Sequence, residues 1–79
     1  MSDIPVRNKT REALRIMIEP SAQAYDIPPE NEVVVSGDFK PGCKGIEIEL
    51  WDDNFISLWV TSEVSVFLDG KKLDPLKEA

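Results

Sequence analysis

The chain is predicted to be all-β, a small antiparallel β-sandwich or barrel of about five to seven short strands. Three observations carry that expectation. Apolar residues recur with period two from Leu14 onward, without the three-and-four spacing of a helix. Every even position in the strand-forming stretches of 46–68 is aliphatic: Ile46, Ile48, Leu50, Ile56, Leu58, Val60, Val64, Val66 and Leu68. Turn-forming residues (Pro20, Pro28-Pro29, Asp52-Asp53-Asn54, Asp69-Gly70) punctuate these stretches at short intervals.

Residues 1–13 read as a flexible basic N-terminal arm, and residues 14–79 as a single β domain. Leu14-Arg15-Ile16-Met17-Ile18-Glu19 places Leu14, Ile16 and Ile18 on one side of a strand that Pro20 ends. Gln23-Ala24-Tyr25-Asp26-Ile27 suits a short edge strand, and Pro28-Pro29 forces an extended path after it. Glu32-Val33-Val34-Val35-Ser36 is β-branched and reads as a buried strand, followed by a Gly/Pro-rich loop through Gly45.

Parity then tests each turn. A three-residue loop at Asp52-Asp53-Asn54 sets Trp51 opposite Phe55 and Leu50 near Ile56, keeping like faces together, with Asn54 suited to left-handed backbone. A two-residue type I′ turn at Asp69-Gly70 pairs Leu68 with Lys71 and Val66 with Leu73. Thr61-Ser62 fails as a tight turn, because it would oppose Val60 and Glu63. A longer corner, a bulge or a crossing to a second sheet is expected there.

Composition limits function. The 79 residues include no histidine, which removes imidazole-based triads, Cys-His pairs and His-ligated zinc. One cysteine cannot close an intrachain disulfide, and no metal-ligand cluster is visible, so a chain this short is expected to gain stability by association, as a homo-oligomer such as a dimer or with a protein partner. Residues 1–15 carry a net +2 and residues 16–79 a net −8, so the acidic body repels phosphate backbones and no nucleic-acid partner is expected. No apolar run approaches the roughly 18–20 residues that span a bilayer. The first residues also lack a signal-peptide core, so a cytoplasmic address with no membrane partner is expected.

The odd positions supply the candidate site. Trp51, Phe55, Trp59 and Phe67 share the more polar side with Glu47, Glu49, Ser57 and Ser65. Each large ring covers roughly 150–250 Å² when buried, more in total than a soluble monomer leaves exposed. Three fates are open: residues 1–31 fold over the rings as a second core, the face forms a homodimer interface, or it binds a sugar, peptide or metabolite.

Other clusters carry less. Glu47 and Glu49 lie about 6.6–6.8 Å apart along a strand, a separation any such pair has, and a solvated face explains them better than glycoside hydrolysis. Asp52-Asp53-Asn54 lacks the closing glutamate of a calcium loop, and turn chemistry accounts for all three residues. Cys43, between Lys40 and Lys44, is a possible reactive thiol, since nearby ammonium groups favour the thiolate. Tyr25-Asp26-Ile27-Pro28-Pro29 has too few prolines for a polyproline ligand and reads as a crossover.

With its prolines at 20, 28 and 29 and its Leu68-Asp69-Gly70 hairpin, the run of short strands resembles a cupin-type jelly roll in outline. The resemblance implies a jelly-roll-like fold and no site, because the family's metal-binding histidines have no counterpart here. The expected function is a non-catalytic protein-interaction or self-association domain, with a small-ligand module using the Trp/Phe face as the alternative. No catalytic residue, cofactor or metal is expected.

Overall fold

The computed structural model describes residues 2–38 and 46–76. Among the described residues eight strands form two four-stranded sheets, a small all-β sandwich, as the sequence predicts. The strands are β1 (Ser2–Arg7), β2 (Leu14–Glu19), β3 (Gln23–Ile27), β4 (Glu32–Gly37), β5 (Ile46–Trp51), β6 (Phe55–Val60), β7 (Val64–Leu68) and β8 (Lys71–Lys72). One sheet has the order β1-β4-β7-β8 and the other β3-β2-β6-β5. Among the described residues no helix is long and apolar enough to cross a membrane.

The alternating residues of both sheets meet between them. Ile16, Ile18, Ile27, Val33, Val35, Leu58 and Val66 are almost wholly buried, joined by Leu14, Tyr25 and Val60. Side chains two apart on a strand share a face, so this inner layer follows directly from the period-two pattern. Burial of the Tyr25 ring, with the negative charge of Asp74 as a second cause, raises its phenol above the ordinary tyrosine value.

The turns follow parity. Trp51 opposes Phe55 and Leu50 opposes Ile56, with Asp53 and Asn54 both at positive φ. Leu68 opposes Lys71 through Asp69 and Gly70, both at positive φ as a type I′ turn requires, and the Leu73 amide donates to the Val66 carbonyl at 2.8 Å. At Thr61-Ser62 the chain leaves β6 and crosses to β7 in the other sheet.

Three features depart from the sequence reading. The flexible arm expected over residues 1–13 is instead a strand and a tied loop in the part described, residues 2–13. Ile4 and Val6 of β1 pack against the core, Pro5 occupies a sheet edge where its missing N–H is tolerated, and Arg7 and Lys9 pair with Glu32 and Glu30 at 2.9 and 3.1 Å. Only two apolar residues carry the alternation of β1, with charges and a proline around them, so its pattern is weak. Among the described residues there are eight strands rather than about five to seven, and the unexpected one is β1. Finally, β2 runs parallel to β6 in a sheet expected to be antiparallel throughout, because the chain leaves β3 for the other sheet before returning.

Asn8 locks the 8–13 loop. Its side chain is fully buried and uses its whole bonding capacity. Nδ2 donates to the carbonyls of Glu12 (2.8 Å) and Ile27 (2.9 Å), and Oδ1 accepts from the amide and hydroxyl of Thr10.

Candidate functional site

The outer face of the β3-β2-β6-β5 sheet is built in rows. Across β5 and β6, Trp51 opposes Phe55, Glu49 opposes Ser57 and Glu47 opposes Trp59. The rows continue into β2, where Arg15, Met17 and Glu19 stand beside Phe55, Ser57 and Trp59. Asp26 of β3 opposes Arg15 and holds it with two hydrogen bonds, 2.9 Å to Nε and 3.2 Å to a terminal nitrogen. Those bonds, and then the carboxylate charge itself, raise the Arg15 pKa.

Both indoles lean diagonally toward the middle row. Trp51 Nε1 donates to Ser57 Oγ at 3.0 Å, and Trp59 Nε1 donates to the Glu49 carboxylate. Large rings reach such diagonal neighbours across a strand pair. Ser57 is buried although it lies on an outer face. The rings themselves stay open, with Trp51 54% and Trp59 40% exposed. Each indole N–H thus has an acceptor within the sheet.

The structure gathers Trp51, Phe55, Trp59, Glu47 and Glu49 on this face and separates Phe67 from them. Phe67 lies on β7 in the opposite sheet, beside Val34, and lines a shallow depression with Asp3, Glu32 and Ser36. Parity fixed its direction relative to its own strand, and the crossing after β6 turned that direction to the other side of the sandwich. Nor do the described residues 2–31 cover the rings. Residues 14–27 extend the same sheet sideways by hydrogen-bonding β2 to β6, and β1 joins the other sheet.

The inner side of β5 holds the feature that the sequence concealed. Ile48 and Leu50 follow the aliphatic pattern and stand opposite Leu58 and Ile56, yet they are 62% and 82% exposed. Ser57 and Asn8 were also missed as structural polar groups. For Asn8 the available signal was Thr10 two residues on, the spacing of an Asx turn.

The remaining sites are structural or peripheral. The Asn54 carbonyl accepts the Arg15 amide at 2.9 Å and its Nδ2 donates to Thr10 Oγ1 at 2.6 Å, so this turn braces the 8–13 loop. An open cleft of about 1010 Å³ lies where β6 crosses to β7, lined by Ile18, Gln23, Gly37, Ser62, Val64 and neighbouring residues. Within it, Ser62 Oγ is buried with no hydrogen-bond partner among the described residues. Cys43 lies outside the described residues. No protein-family model matches this chain, and no curated protein or solved structure matches it either.

Proposed function

We propose that this chain is a non-catalytic protein-interaction domain whose binding surface is the β5–β6 hairpin. One observation carries the reading. Of the five large hydrophobic residues exposed among those described, Ile48, Leu50, Trp51 and Trp59 all belong to this hairpin, and only Leu76 lies elsewhere. Covering a fully exposed side chain of this size contributes about 1.5–3 kcal/mol, so four together offer the apolar centre of an interface, with Glu47 and Glu49 beside it. Either a protein partner or a second copy could use that centre. A cytoplasmic address rests on the single thiol.

The test is selection of a displayed peptide library against the full chain, followed by rebinding to Leu50→Lys and Trp51→Ser variants that retain the parent's melting curve. Light scattering at several loadings runs in parallel. Binders or dimers that both variants weaken support the reading. Binders and mass that neither variant changes overturn it.

The exposed, internally bonded indole pair favours a second reading, a stacking platform for a small ligand such as a sugar. Saturable quenching of tryptophan fluorescence by an oligosaccharide, lost in Trp59→Ala, would support that alternative.

A further inference from the structure

We infer that β5 recruits an extended segment of another protein as an added strand, and that the segment alternates apolar residues with lysine or arginine. The inference rests on the association reading above and names the partner's chemistry.

The four sheet edges are not alike. Sheet edges expose unpaired backbone groups, and proteins blunt them with proline, lysine, shortness or a covering segment. On β1 the edge carries Pro5, and β8 is two lysines long. Along β3 the Leu76 amide donates to the Ala24 carbonyl at 2.7 Å, so the C-terminal segment meets that edge. By contrast, β5 is six residues, Ile-Glu-Ile-Glu-Leu-Trp, with no proline and no basic residue. Among the described residues its one strand neighbour is β6. Its inner side chains Ile48 and Leu50 already project into solvent, beside the position that a next strand would occupy.

Charge decides the occupant. An added strand presents alternate residues to the two faces, as β5 does. One set would lie with Ile48 and Leu50 and is therefore apolar. The other would lie beside Glu47, Glu49 and Trp51 of β5, where ammonium or guanidinium groups gain both carboxylates and an aromatic ring. In the two central antiparallel registers a second copy of β5 fits poorly. In antiparallel pairing with Ile48 opposite itself, Glu47 faces Glu49 twice; with Glu49 opposite itself, two carboxylates meet directly. Like charges directly opposite destabilise a strand pair, and each whole chain adds a net charge of −6.

The experiment titrates the full chain with a capped hexapeptide alternating lysine and valine, read by tryptophan fluorescence and by backbone amide NMR shifts. Two control peptides share its length: one alternates glutamate and valine, and the other is the lysine peptide N-methylated at alternate residues. The lysine peptide is expected to saturate, with shifts concentrated on β5 and β6, and both controls are expected to bind at least about tenfold more weakly. Ile48→Lys, checked for an unchanged melting curve, should weaken it by about tenfold or more. The double variant Glu47→Gln/Glu49→Gln should weaken it by about three- to tenfold. Equal binding of the glutamate peptide, indifference to N-methylation, or no saturable binding overturns the strand-addition inference. If a library binder still depends on Leu50 and Trp51, the association reading survives that result. A dimer that dissociates in Ile48→Lys would also overturn the inference, in favour of a second copy on the same surface.

Discussion

Neighbouring strands β5 and β6 carry the same inner pattern and meet opposite fates. On β6, Leu58 and Val60 are 1% and 8% exposed; on β5, Ile48 and Leu50 are 62% and 82% exposed. Propensity and periodicity do not distinguish the two. Position does, because β6 lies between β2 and β5 whereas β5 ends the sheet. A period-two pattern therefore reports which face a strand turns toward the core. Whether anything stands opposite that face depends on the width of the other sheet.

The largest expected effect contrasts the two strands directly. Leu58→Ala should cost about 2–5 kcal/mol of unfolding free energy, the range for truncating a well-packed core leucine. Leu50→Ala should stay within about 0.5 kcal/mol, as exposed positions do. Urea denaturation of both variants provides the comparison, and equal losses would mean that Leu50 is covered in solution.

Next in size is the anchor of the 8–13 loop. Asn8→Ala removes two donors from buried or part-buried carbonyls and is expected to cost about 2–3 kcal/mol by the same denaturation measurement. Arg11→Ala, exposed on the same loop, should change stability by less than about 0.5 kcal/mol. If both were silent, residues 2–13 would be the free arm that the sequence suggests.

A smaller effect separates the core from the surface by pH. The folded state holds the Tyr25 phenol above its ordinary value, so protonated Tyr25 favours folding. That contribution is complete below the unfolded value of about 10 and is lost as pH rises through the raised folded value. Tyr25→Phe should therefore flatten the alkaline fall in melting temperature, and an unchanged alkaline limb would count against burial of the phenol. The smallest effect belongs to the exposed Arg15–Asp26 pair: Asp26→Asn should shift the melting temperature little, and less again in high salt.

The legibility of this fold divides along the same line. Local geometry could be read: parity selected the three-residue loop between Trp51 and Phe55, the Asp69-Gly70 turn and the failure of Thr61-Ser62 as a tight turn. Relations between distant strands could not. Nothing in the spacing of Leu14–Glu19 shows that it lies parallel to Phe55–Val60, and nothing in the parity of Phe67 shows that β7 belongs to the other sheet. The site was half legible for the same reason. Trp51, Phe55, Trp59, Glu47 and Glu49 follow from alternation within one hairpin, whereas the exposure of Ile48 and Leu50 depends on what the opposite sheet leaves uncovered. Residues 2–7 escaped notice because Ile4 and Val6 alone carry their pattern, and the pairing partner is β4, some thirty residues away along the chain.

The most direct test of an open, recruiting edge is amide hydrogen exchange along Ile46–Trp51, measured on the free chain and with the lysine–valine hexapeptide at saturation. The β5 amides directed away from β6 should exchange freely without peptide and become protected with it, while the β6 amides stay protected throughout. Protection of every β5 amide in the free chain, or free exchange that saturating peptide leaves unchanged, would contradict the account.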